Sequence, residues 1–104
     1  MKIDKRAAVQ QLLIALEAEL KTTGFWRDIS PSTTQLASTE PFCIDTLTFS
    51  EWLQFVFLVK MQFLLDNQIA LPENMAIAPM AEEAFKTQNQ ATPALLALLV
   101  KLDA

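Results

Sequence analysis

Apolar residues recur at helical spacing in four stretches of this chain, and the pattern breaks for more than twenty residues between the first two. In the first stretch Val9, Leu12, Leu13, Leu16 and Leu20 fall on one arc, with Arg6, Gln10, Glu17 and Lys21 opposite. Asp4 suits the N-cap of this helix and Gly24 the position just past its end. Such a stripe packs on the chain's own core far more often than on a partner or a membrane surface. The second stretch, TFSEWLQFVFLVKMQFLLD over residues 48–66, is the most apolar of the chain. Thr48 with Glu51 three residues on forms a capping box, so a helix starts there. Stepping 100° per residue puts Trp52, Leu53, Val56, Val59, Phe63 and Leu64 on one broad face. Phe55, Phe57, Leu58, Met61 and Leu65 spread round the rest, leaving a thin polar seam at Glu51, Gln54 and Gln62. A helix apolar almost all round belongs in a core or in a membrane. Gln54 and Lys60 interrupt the run well short of the ~20 residues needed to span a bilayer, so this is a central core helix.

The intervening residues 25–47 carry Pro31, Pro41 and many hydroxyl side chains without sustained periodicity, which predicts an irregular crossover. Phe25, Trp26, Phe42 and Ile44 pack it down rather than leave it disordered, and a weak extended piece falls at Phe42 to Ile44. Trp26 and Phe42 read as anchors before they read as a binding loop. After Asp66 the chain turns through Asn67 and Gln68 to Leu71 and Pro72. Pro79 then suits a first helical position, and a short helix to about Thr87 would place Glu82 and Glu83 near its positive end. Adjacent carboxylates on a helix point about 100° apart, which spoils chelation. Thr92 and Pro93 repeat the start signal, and Leu95, Leu98, Leu99 and Leu102 mark a last amphipathic helix. The expected fold is all-α: one domain over residues 1–104, a small four-helix bundle of two long and two short helices. Its central hydrophobic helix follows a long ordered loop.

Composition narrows the function. At 104 residues and 52% hydrophobic content the chain supports one real core, and a subunit interface, self-association included, would absorb some of that apolar surface. The formal charge of −4 argues against direct nucleic-acid binding, whose affinity rests on cations facing phosphates. With no His and one cysteine, Cys43, neither an imidazole–thiolate metal site nor a His-based triad is expected. A single glycine, Gly24, removes the phosphate-cradling loops. The start, MKIDKRAAVQQ, lacks the apolar segment of a signal peptide, and nothing calls for a disulfide. The reading is a cytoplasmic protein with no cofactor, no metal, no membrane span and no catalytic activity of its own.

Trp26-Arg27, Ser38-Thr39-Glu40-Pro41-Phe42, Asp45-Thr46, Glu51-Trp52-Leu53-Gln54, Lys60-Met61, Leu71-Pro72 and Ala78-Pro79, in that order, resemble the YqcC-like family of small bacterial all-helical proteins. The resemblance runs from roughly Val9 to Leu102. It implies a domain of unassigned biochemical activity, with tRNA pseudouridine synthase C as a genetic neighbour and a protein partner. It does not imply that activity here, since such a synthase needs a catalytic Asp in a much larger, sheet-containing domain. Where the family commonly shows Pro-Arg-Met this chain has Val59-Lys60-Met61, so its helix should run straighter.

Two functional readings follow: a non-catalytic interaction module, accessory to an RNA-modifying enzyme, or a small-molecule pocket protein or minor enzyme using Asp45, Glu51 and Lys60 near aromatic walls. The candidate residues are Trp26, Phe42, Asp45, Glu51, Trp52 and Lys60. Lys60 falls by the 100° step between Phe49, Leu53 and Val56, where a buried cation must either snorkel to water or meet a carboxylate. Asp45 is the carboxylate expected, with Glu82 and Glu83 as alternatives.

Overall fold

The structure, a computed structural model, describes residues 5–72, 75–86 and 93–103. Helix α1, Lys5–Thr22, buries Val9, Leu13, Leu16 and Leu20, the predicted arc. The expected cap Asp4 lies outside the described residues. Gly24 adopts φ 83°, and the bonds Phe25 N–H to Leu20 C=O (3.0 Å) and Gly24 N–H to Lys21 C=O (3.2 Å) close the helix. This is a Schellman motif, in which a left-handed residue without a Cβ satisfies carbonyls the helix leaves open. Leu20 and Phe25, both buried, form the apolar contact that goes with it.

The crossover is ordered by short local elements that its composition hides. Ser32 and Gln35 form a capping box on a one-turn helix, α2, Thr33–Leu36. Pro41–Cys43 is a 3-10 turn in which Phe42 has φ 58°, and Cys43 follows at φ 50°. The weak extended piece expected at Phe42 to Ile44 is therefore corrected to a tight left-handed turn. Cys43 and Leu47 are buried while Ile44 stays exposed. Ser38 Oγ donates to Asp45 Oδ1, and Thr46 Oγ1 donates to Gln35 C=O at 2.7 Å, tying the loop to itself.

The central helix, α3, begins after Thr48 with the predicted capping box: Thr48 Oγ1 accepts from Glu51 N–H, and Glu51 Oε1 accepts from Thr48 N–H. It is α-helical over Phe49–Trp52 and Leu58–Asp66, with a π-helical turn, Leu53–Phe57, between them. The Leu58 N–H reaches back five residues to Leu53 C=O. The regular helix expected over residues 48–66 is corrected to one that contains this π-turn. A π-turn holds an extra residue, so every later side chain is set back by up to about one 100° step. Phe57 and Met61 thereby face the core, whereas Val59, Lys60 and Phe63 are exposed. Of the broad apolar face read from the sequence, Val59 and Phe63 are therefore open to water.

The far end of α3 closes on a second Schellman motif, with Ile69 N–H bonded to Leu64 C=O at 2.9 Å and Gln68 at φ 56°. A non-glycine residue is strained there. Arg6 of α1 steadies it by donating to Leu64 C=O and Ile69 C=O, each at 2.8 Å, and its charge suits the negative end of the helix.

Helix α4, Ile77–Ala84, starts two residues before the predicted Pro79. Glu82 and Glu83 consequently lie in its second half, so their expected place at its positive end is also corrected. The N-terminal donors are met instead by Asp103, whose carboxylate accepts from Ile77 N–H (2.9 Å) and Ala78 N–H (2.6 Å). Asp103 ends helix α5, Pro93–Asp103, which buries Leu95, Leu99 and Leu102 against α1 and α4. The fold is all-α, with no strand among the described residues: four principal helices and the single turn α2 around one core.

Candidate functional site

Among the described residues, two recesses that share no lining residue flank α3. The first is a groove of about 630 Å³ between α1 and α3. Leu13 and Ile14 come from α1, Phe55, Leu58, Val59 and Phe63 from α3, and Trp26 from the start of the crossover. Ile14, Val59 and Phe63 remain 55%, 61% and 57% exposed, a row of large apolar side chains left open to water. Amides stitch the two helices beneath it: Gln10 Nε2 donates to Gln62 Oε1 at 3.0 Å and Gln62 Nε2 to Gln10 Oε1 at 2.8 Å. Gln62 also donates to Asp66 at 2.8 Å. Glu17 and Asp66 give the groove two carboxylates. Lys21 pairs with Glu17 at 3.2 Å and lies 4.9 Å from the Trp26 ring centroid.

Gln54, part of the thin polar seam read from the sequence, is buried. Its Oε1 accepts from Arg27 N–H at 2.8 Å and its Nε2 donates to Arg27 C=O at 2.7 Å. A single amide thus imitates a backbone pair and holds Trp26 beside the groove, which explains how a polar residue sits in the π-turn without an unsatisfied group.

The second recess is a pocket of about 370 Å³ on the other side of α3. Phe42 and Trp52 form an aromatic corner, with centroids 4.9 Å apart and planes at 75°. Phe57, Met61 and Ile77 line it from the core, and Lys60 supplies the only charge among the described lining residues. The corner continues inward as a ladder of rings, Trp52 to Phe49 at 5.8 Å, Phe49 to Phe85 at 5.5 Å and Phe85 to Phe25 at 5.1 Å. Edge-on and offset contacts at these separations stabilise the arrangement beyond burial alone.

Of the six candidates, Phe42, Trp52 and Lys60 are brought together in the pocket, and Trp26 stands in the groove. Glu51 serves the helix cap and Asp45 the loop. The expected Lys60–Asp45 pair does not form; Lys60 is solvent-exposed, as the π-turn requires. Neither do Glu82 and Glu83 meet it. Ile14 and Met75 were missed because one lies off the arc of its helix and the other in a stretch without periodicity. No group of His, Cys, Asp and Glu suited to a metal ion occurs among the described residues.

These features define a small all-helical domain with two apolar recesses. Residues 8–104 match the family model described as tRNA pseudouridine synthase C, and the chain belongs to this family, the YqcC-like proteins. It is 44% identical over 96 residues to the uncharacterized protein YqcC of Escherichia coli strain K12, covering 92% of this chain and 88% of that one. An uncharacterized protein of Haemophilus influenzae is 40% identical over 98 residues, covering 94% and 92%. A protein of Pectobacterium carotovorum subsp. carotovorum named tRNA pseudouridine synthase C is 44% identical over 82 residues, which are 79% of this chain and 22% of that one. The solution NMR structure of E. coli YqcC superimposes with a TM-score of 0.83 at 40% identity, covering 97% of this chain and 86% of that structure.

Proposed function

We propose that this chain is a non-catalytic interaction module that docks a protein partner in the α1–α3 groove, the partner being a tRNA pseudouridine synthase. The observation that carries the reading is the exposed row of Ile14, Val59 and Phe63 along the groove between α1 and α3. Apolar rows of this kind, rimmed by polar groups, mark protein-binding surfaces. The groove offers an apolar bed with Glu17 and Asp66 beside it, so its occupant is an amphipathic helix of the synthase carrying basic residues beside its apolar face. Support for the partner comes from the Pectobacterium protein, in which a segment like this chain makes up 22% of a longer polypeptide of that name. Asp45 and Glu51, the carboxylates considered for catalysis, are committed to loop and cap hydrogen bonds, which favours a module over an enzyme. The role is cytoplasmic and needs no direct contact with RNA; no helix among the described residues is long and apolar enough to cross a membrane.

The test is titration of the purified synthase from the same cell with this chain. A one-to-one complex is expected that weakens with salt, and Val59→Glu with Phe63→Glu should weaken it by about a hundredfold or more, as loss of central apolar anchors does. Failure to associate, or association indifferent to both substitutions, overturns the reading. Self-association through the groove would appear as a dimer in the free chain and would replace the synthase as its occupant.

A further inference from the structure

The pocket beside Phe42 collects backbone departures from three separate parts of the chain. Phe42, at φ 58°, lines it directly. Ala76, at φ 55°, stands between Met75 and Ile77, both of which line it. The π-turn contributes Val56 and Phe57. Left-handed backbone outside glycine persists only where the surroundings enforce it, and such strain gathers at ligand clamps. π-turns likewise collect at functional sites. Each departure alone has a local structural use; their convergence on one recess is what a shaped cavity requires.

The wall chemistry names the ligand class. Phe42 and Trp52 meet nearly edge to face, which leaves ring surface for a flat apolar body, and Met61, Met75 and Ile77 are compliant or apolar. Lys60 is exposed and makes no ion pair among the described residues. One cation without an accompanying cradle of backbone donors suits a single anionic group rather than a polyphosphate, and it disfavours a cationic guest despite the aromatic walls. The volume of about 370 Å³ lies at the small end of the range for ligand sites, roughly 300 to 1,000 Å³. We propose that this pocket binds a small aromatic carboxylate, its ring against Phe42 and Trp52 and its carboxylate at Lys60. The inference is independent of the groove and its partner.

The experiment titrates the full chain with 2-naphthoate and, separately, with its neutral methyl ester, following backbone amides and the Trp52 indole N–H by NMR. The acid should shift Trp52, Phe42 and Ile77 and bind about five- to tenfold more tightly than the ester, the advantage of one partly solvated charge-assisted contact. Lys60→Met should bring the acid to the affinity of the ester and leave the ester unchanged. Val56→Trp, which fills the recess, should abolish both while the groove residues keep their native shifts. Equal affinity for acid and ester, insensitivity to Lys60→Met, shifts confined to Ile14 and Phe63, or no shift at about 1 mM ligand would each overturn the proposal.

Discussion

The groove and the pocket are built from the same helix by opposite means. The groove arises where α1 and α3 lie side by side, and none of its described lining residues, Ile14, Val59 and Phe63 included, has left-handed backbone. The pocket exists because the backbone departs from regularity at Phe42, within Leu53–Phe57 and at Ala76. A surface made by helical periodicity is broad and tolerant, so it suits another helix. One made by strained turns has a particular shape, so it suits a small molecule. The π-turn connects the two, because the same set-back that exposes Val59 and Phe63 to the groove side brings Met61 under the pocket and leaves Lys60 at its edge.

Groove and pocket rest on a shared support in α3. Leu53 is fully buried, and Leu53→Ala should lower stability by ~2 to 5 kcal/mol in urea titration, weakening both recesses together. If groove binding alone suffered, the two would not share a foundation. Gln54 separates them. Gln54→Ala leaves the Arg27 N–H and C=O without their partner, at ~1 to 3 kcal/mol, and should speed hydrogen exchange at Arg27 while the amides near Phe42 stay protected. Equal acceleration on both sides would show that the crossover opens as one unit.

A finer test uses the left-handed backbone of Phe42. Phe42→Gly should be more stable than Phe42→Ala by ~1 kcal/mol in thermal denaturation, the reverse of the usual order of these residues, because only glycine is at ease at φ 58°. The usual order would mean the turn relaxes once the ring is gone. Smallest in stability are the exposed positions. Val59→Glu and Lys60→Met should each change it by less than ~0.5 kcal/mol, so any binding they remove is lost at the surface rather than through unfolding.

Much of the fold was legible along the chain. The capping box at Thr48 and Glu51, the arc of α1, the glycine after it and the start of α5 at Pro93 are all local signals, and local signals act wherever the segment lies. The crossover's anchoring by aromatics was legible too, although its tight turn was not. The candidate site was legible in composition but not in geometry. Phe42, Trp52 and Lys60 do meet, yet Asp45 and Glu51 serve local hydrogen bonds and Trp26 stands on the other side of the helix.

What the sequence determined by itself was therefore helix placement, through caps, proline and periodicity over a few residues. Tertiary structure alone decided which side of α3 is buried. With apolar residues on nearly every side, periodicity cannot choose a face, and the choice falls to what α1, the Phe42 turn and α4 press against it. Asp103 capping α4 and Arg6 closing α3 belong to the same class of decision, since each joins residues more than twenty positions apart. The π-turn is the physical trace of that choice. A regular helix would carry the buried row Phe49, Leu53, Phe57 and Met61 about 40° round the axis at every fourth residue, and the wider turn cancels much of that drift so one continuous row can meet one core.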